Sequence, residues 1–208
     1  MKVAVSFLKG LDYKSCIKKI DESNCDYIHV DLCDGKYVEE KNITVKNCVD
    51  LLKNTSKKLD VHLMCKEPHL IADNFALLNT ECVTIHPLAC KDTFLAIETI
   101  KNMGLKVGIA INPDEEIDLI MPYLNEVDEV LVMSVMPGKG GQTFIIGILD
   151  KLDEIISLKE KYNFTVSVDG GINDETINYL KDKDIDKIVS GSFVTAAENY
   201  NERISILK

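Results

Sequence analysis

Eight short runs rich in β-branched and apolar residues recur through the chain, separated by longer amphipathic stretches. The runs are Val3–Phe7, Tyr27–Asp31, Leu59–Met64, Cys82–His86, Lys106–Ile111, Glu129–Met133, Thr165–Asp169 and Lys187–Ser190. Between them lie helical patterns such as Tyr13–Glu22, Phe94–Met103, Leu149–Lys161 and Glu175–Lys181. Over 208 residues this is about 26 residues per unit, and such alternation argues for a parallel sheet with helical crossovers. An open doubly wound sheet also alternates in this way. Eight units, and no Gly-x-Gly-x-x-Gly turn after the first run, favour closure. The chain is therefore expected to form a single (β/α)8 barrel, the TIM-barrel class of α/β fold, over residues 1–208.

Helix starts carry identifiable chemistry. Asn112-Pro113-Asp114-Glu115 has the pattern of a cap, a proline at the first helical position and a glutamate three after the cap. Asp12 and Asn173 are further cap candidates.

Composition narrows the function classes. Hydrophobic residues make up 46% and charged residues 28%, as in ordinary globular proteins. No apolar run approaches the ~20 residues of a membrane helix. The apolar start Met1–Leu8 lacks a small-residue cleavage site and runs into Lys9-Gly10-Leu11-Asp12, so it is expected to be a strand and a turn. Seven cysteines without a Cys-x-x-Cys pair suggest a reducing cytoplasm. A formal net charge of -10 opposes nucleic-acid binding, while still allowing a small phosphate to be held by backbone N–H groups. No nucleic-acid or membrane partner is expected.

In this fold, reactive groups sit at the C-terminal ends of strands and in the loops that follow. Period two along Ile28-His29-Val30-Asp31 puts His29 and Asp31 on one face. In Asp60-Val61-His62-Leu63-Met64, His62 lies opposite Val61 and Leu63. Asp169 ends the seventh run. Two imidazoles and two carboxylates converging on a barrel mouth suit a borderline divalent ion such as Zn, Fe, Mn or Co. A single strand histidine is more often a satisfied core residue, and an aspartate at a strand end is often a cap. The weight lies in their joint placement.

Two further signals stand apart from the metal. Gly170-Gly171 follows the seventh run and Gly191-Ser192 the eighth, the positions where this fold frequently binds phosphate. Either pair alone would be only a tight turn. After the sixth run, the segment Met133–Gln142 carries Gly138, Gly140 and Gly141 and is longer than a strand-to-helix connection needs, so it is expected to act as a lid.

At these residues the sequence resembles the ribulose-phosphate 3-epimerase family over nearly its whole length. The matching segments are Ser6-Phe7-Leu8, His29-Val30-Asp31-Leu32-Cys33-Asp34-Gly35, Leu59-Asp60-Val61-His62-Leu63-Met64, Thr84-Ile85-His86-Pro87, Asn112-Pro113, the Met133–Gln142 loop, Val168-Asp169-Gly170-Gly171-Ile172 and Gly191-Ser192. The resemblance implies a barrel of the ribulose-phosphate-binding type and one divalent cation per chain held by His29, Asp31, His62 and Asp169. It implies Asp31 and Asp169 as acid–base groups, working through an enediolate. Ser6, His62, Gly138, Lys139, Gly140, Gly141, Asp169, Gly170, Gly171, Gly191 and Ser192 then contact a ketose phosphate. Family members are often dimers or hexamers, so a homo-oligomer is implied as well.

The residues support this chemistry independently. Inverting a hydroxylated carbon next to a carbonyl requires a base on one face and an acid on the other, and two carboxylates can exchange those roles. Cys33, Leu88, Met136 and Lys139 depart from the family's usual Met, Glu, Asn or Glu, and Phe, and they surround the substrate. Lys139 is expected to bring its ammonium to the phosphate when the lid closes. The leading expectation is epimerisation of D-ribulose 5-phosphate at C3 to D-xylulose 5-phosphate, in the pentose phosphate pathway. The runner-up is the same reaction on D-allulose 6-phosphate. A phosphate-barrel lyase is disfavoured because no barrel strand ends in a lysine, and a non-catalytic sugar-phosphate sensor because both aspartates and both histidines are retained.

Overall fold

The computed structural model describes residues 1–7 and 12–208; Leu8 and the Lys9-Gly10-Leu11 part of the expected turn lie outside the described residues. The eight strands are β1 (Lys2–Ser6), β2 (Tyr27–Cys33), β3 (Lys58–Met64), β4 (Thr80–Ile85), β5 (Lys106–Ile111), β6 (Glu129–Met133), β7 (Thr165–Asp169) and β8 (Lys187–Ser190). Each pairs in parallel with its sequence neighbour, and β1 pairs with β8, Val3 opposite Ile188, to close the barrel. The helices are α1 (Tyr13–Glu22), α2 (Val45–Leu52), α3 (His69–Ala76), α4 (Thr93–Asn102), α5 (Leu149–Ser157), α6 (Lys159–Tyr162), α7 (Ser192–Thr195) and α8 (Tyr200–Leu207).

Strand alternation sorts the side chains into two populations. The outward set, including Val3, Val5, Ile28, Val30, Val61, Leu63, Val83 and Ile85, packs against helix residues such as Ile17, Ile20, Leu52 and Phe75 to form the main core. The inward set is far more polar. His29, Asp31, Asp60, His62, Thr84, His86, Glu129, Ser167 and Lys187 are all buried. Buried polar groups on this scale need one another as partners.

The crossovers are less regular than expected. Asp12 caps α1, its side chain accepting from the Ser15 N–H at 3.2 Å. At Asn112 the expected α-helix does not form. Glu115 does reach back, accepting from the Asn112 backbone N–H at 2.8 Å. The Asn112 amide, however, donates to Glu115 at 2.9 Å and to the Tyr37 hydroxyl at 3.2 Å instead of capping. Two 3-10 turns follow, Ile117–Leu119 and Met121–Tyr123, the second holding Pro122, which an α-helix interior would exclude. Asn173 accepts from the N–H groups of Glu175 and Thr176, but only the 3-10 segment Thr176–Tyr179 follows where Glu175–Lys181 reads as a helix. So short a segment cannot sustain an α-helix by itself. The Leu149–Lys161 pattern divides at Leu158, whose N–H bonds back three residues to Ile155. All seven cysteines are free thiols; Cys90 is half-buried and the others are buried. No helix among the described residues is long and apolar enough to cross a membrane.

Candidate active site

β2, β3 and β7 end at the mouth of the barrel, and each delivers an inward side chain there. The Asp31 carboxylate oxygen Oδ1 lies 3.2 Å from His29 Nε2 and 3.2 Å from His62 Nδ1. Asp169 Oδ2 lies 3.7 Å from His29 Nε2 and 3.8 Å from His62 Nδ1. One ligand atom from each of the four residues falls within 4.8 Å of all the others. Four ligands at about 2.0–2.2 Å around a tetrahedral ion stand roughly 3.3–3.6 Å apart, so the spacing fits a cation at the centre. The donor set, two imidazole nitrogens and two carboxylate oxygens, suits the borderline divalent ions.

Both histidines are aimed from behind. His29 Nδ1 meets Asp60 Oδ2 at 2.8 Å, which turns Nε2 towards the mouth. His62 Nε2 meets His86 Nε2 at 2.8 Å, which turns Nδ1 towards the mouth. The His86 ring also lies against Tyr37, with centroids 4.9 Å apart. Neither Asp60 nor His86 features among the expected site residues. Asp60 sits two before His62, so strand parity alone puts both on the same face.

The two aspartates differ electrically. Burial works against ionisation of Asp31, but His29 and His62 overcome it and hold the carboxyl well below the usual range. For Asp169, burial and then the charge of Asp31 act together and push it up to about 6. His86 is held below its ordinary value by burial and by its neighbour His62. Ser6 Oγ donates to Asp31 Oδ2 at 2.6 Å and fixes the outward oxygen.

Asp31 and Asp169 face a cavity of about 490 Å³, with Met64 and Met133 beside them. Ser6, Gly138, Lys139, Gly140, Gly141, Gly170, Gly171, Gly191 and Ser192 also line it. His29 and His62 stand behind the aspartates and do not line the cavity. Cys33 lies with its sulfur 3.9 Å from that of Met64. Glycine is required at two lining positions. Gly170 has φ +120° and a Cβ there would lie 2.4 Å from Val135, while Gly171 has φ +64° and a Cβ would lie 2.5 Å from the Phe144 nitrogen. The segment after β6 is drawn together by Gln142, whose amide donates to the carbonyls of Met136 and Lys139, each at 2.6 Å. A Cβ at Gly138 would lie 3.0 Å from that of Val38 in the segment after β2, so the segment after β6 runs close to that one. Lys139 is exposed at the cavity edge.

A second buried cluster lies at the opposite end of the bore. Lys187 Nζ, from the first residue of β8, lies 2.6 Å from Asp60 Oδ1 and 2.8 Å from Glu129 Oε2. Ser167 donates to Glu129 at 2.9 Å. The sequence pattern places Glu129 and Lys187 at the starts of their strands and signals nothing more about them.

The profile of the ribulose-phosphate 3 epimerase family matches residues 2–195. The chain belongs to that family. It is 38% identical over 199 residues to ribulose-phosphate 3-epimerase of Helicobacter pylori, covering 93% of this chain and 90% of that one. It is 33% identical to the Bacillus subtilis enzyme of the same name over 216 aligned positions, covering 100% and 98%. The family is one of isomerases acting on a sugar phosphate, and the chain is an epimerase of it. Among solved structures, KGPDC from Streptococcus mutans superposes with a TM-score of 0.74 at 16% identity, covering 99% of this chain and 94% of that one. 3-Hexulose-6-phosphate synthase from Salmonella typhimurium superposes at 0.71 with 17% identity, covering 100% and 96%. Those two likenesses establish the shared barrel and nothing finer.

Proposed function

We propose that this epimerase inverts C3 of D-ribulose 5-phosphate to give D-xylulose 5-phosphate, with Asp31 and Asp169 as the two proton carriers. The observation that carries the proposal is their placement. The two carboxylates come from strands β2 and β7, which are not neighbours, and both face one cavity. Each can therefore address a different face of a carbon lying between them. In one direction Asp31 or Asp169 takes the C3 proton and its counterpart supplies the other; in the reverse direction the roles exchange.

His29, Asp31, His62 and Asp169 would hold one divalent ion, among which Zn, Fe, Mn and Co suit the donor set. When bound, the ion supplies Lewis acidity to negative oxygen developing beside it. Ser6 keeps Asp31 oriented through its hydrogen bond. Met64, Met133 and Val135 provide an apolar lining that limits water around the reacting carbon. Gly170, Gly171, Gly191 and Ser192 form the end of the cavity that takes the phosphate, where backbone can approach an anion closely. The Gly138–Gly141 segment closes over the substrate, with Lys139 adding a positive charge near the phosphate.

The test is turnover of D-ribulose 5-phosphate and D-allulose 6-phosphate, side by side, by one metal-loaded preparation. The two share carbonyl, reacting carbon and phosphate, and differ by one hydroxylated carbon. An unpartnered hydroxyl costs roughly 1–3 kcal/mol, so kcat/KM is expected to favour the five-carbon sugar by at least about 10-fold. A reversed ratio would assign the chain to the six-carbon reaction. No turnover of either would refute the proposal.

A further inference from the structure

The proposed chemistry uses only the mouth of the barrel, yet the most highly charged part of the bore is its floor. Three ionisable side chains meet there, and none is more than 7% exposed: Asp60, Glu129 and Lys187. A buried triad of this kind is a weak source of stability, because desolvation offsets much of the attraction. Its connections suggest a second use. Asp60 divides its two oxygens between the clusters, Oδ1 accepting from Lys187 at 2.6 Å and Oδ2 meeting His29 Nδ1 at 2.8 Å. His29 Nε2 is in turn one of the four atoms converging at the mouth.

We infer that Lys187 is a positioning residue for the metal centre, acting through Asp60 to fix the orientation of His29. The line is short: the Lys187 ammonium, seated against the Tyr27 ring, holds Asp60 Oδ1, and Asp60 is thereby locked with Oδ2 under His29, while Glu129 lies beside the ammonium and off that line. A carboxylate with only one fixed oxygen can rotate about its terminal torsion, and the imidazole above it then loses its reference. Lys187 begins β8, so its backbone is held by the pairing of Lys2 with Lys187 across the barrel seam. The ammonium therefore sits on a rigid element. His62 has no such anchor, since its rear partner is the neutral ring of His86. The inference rests on the metal-binding reading of the mouth, and its test is chosen to separate the two.

The experiment measures the dissociation constant for Mn or Zn by competition with a chelator, together with melting temperature and the kinetic constants at saturating metal. Wild-type protein that binds no ion at the mouth would refute the metal-binding reading itself. Given binding, Lys187→Met is expected to weaken metal affinity by about 10-fold, the lower end for loss of a residue that orients a ligand. KM at saturating metal should stay within about twofold, because Lys187 does not line the cavity. Lys187→Arg should recover most of the affinity. Glu129→Gln changes the charge of the floor without cutting the path from Asp60 to His29, and should leave metal affinity within about twofold whatever it does to melting. If Lys187→Met fails to fold, the double variant Lys187→Met/Glu129→Gln, which removes one charge of each sign, should show the same 10-fold loss. The inference is overturned if Lys187→Met, or the double variant in its place, lowers melting temperature while metal affinity holds. It is equally overturned if Glu129→Gln weakens metal binding as much as loss of the lysine does.

Discussion

The floor and the mouth of the barrel each bring two carboxylates together, the first pair closed off from water and the second facing a cavity, and they neutralise them in different ways. At the floor the cation is part of the chain: Lys187 lies within 2.8 Å of both Asp60 and Glu129. At the mouth the ionisable partners of Asp31 and Asp169 among the described residues are two imidazoles, His29 and His62, each able to turn a ring-nitrogen lone pair to a cation. An ammonium tethered to a strand closes its cluster permanently. In the proposed reading, the four-residue group at the mouth holds an exchangeable divalent ion and leaves its carboxylates able to exchange protons with a substrate. Paired carboxylates thus form a closed plug at one end and, in the proposed reading, a reactive centre at the other. His29, with one nitrogen towards each, joins the two ends.

The largest expected effect comes from removing the cation proposed for the mouth. Exhaustive chelation should lower kcat by at least about 10²-fold, the scale of losing a preorganised charge, with recovery on adding about one equivalent of Zn, Fe, Mn or Co. Undiminished activity in a sample shown by elemental analysis to be metal-free would erase the distinction between the two ends. A smaller effect tests the floor. Burial, only partly offset by Lys187, raises the pKa of Glu129 above its ordinary value in the folded protein. A carboxyl raised on folding contributes stability that is fully present below the unfolded pKa, about 4.5, and is lost as pH rises through the folded value. Glu129→Gln lacks that loss, so its melting temperature should gain on wild type as pH climbs from about 4.5. A difference that stays flat or runs the other way would show Glu129 fully ionised against Lys187. The smallest effect belongs to the mouth's rim. Lys139→Gln should raise KM up to about fivefold, the range of one exposed ion pair, and more at low salt than at high salt. Equal KM values at both salt concentrations would leave Lys139 as a solvated surface residue.

Much of the architecture was legible because strand parity and hydrophobic content act locally. The runs from Lys106–Ile111, Glu129–Met133, Thr165–Asp169 and Lys187–Ser190 coincide with β5 to β8 to the residue. Asp31, His62 and Asp169 were legible because each occupies an inward position in the C-terminal half of its strand, and His29, the third of seven residues in β2, because it shares the face of Asp31 two positions on. What escaped was set by packing between distant segments. The 3-10 turns after β5 and β7 follow from Pro122 and from segments too short to sustain an α-helix, features that a cap pattern such as Asn112–Glu115 does not weigh. The floor escaped for another reason. Lys187 and Asp60 are 127 positions apart, and a charged residue opening a strand ordinarily faces solvent. Only closure of the barrel turns those strand starts onto one another.

In the proposed mechanism Asp31 and Asp169 serve opposite faces of one carbon. This is tested most directly by solvent deuterium exchange at C3, followed by NMR or mass spectrometry in D2O, with Asp31→Asn and Asp169→Asn whose metal content is measured in the same samples. Each substitution should lower net epimerisation by about 10²–10⁴-fold, the range for loss of one acid–base group. In metal-replete samples each variant should still exchange the C3 hydrogen of one epimer without inverting it, and the epimer that exchanges should differ between the two variants. If both variants exchanged the same epimer, or either inverted C3 at the wild-type rate with metal bound, the two-carboxylate account would be wrong.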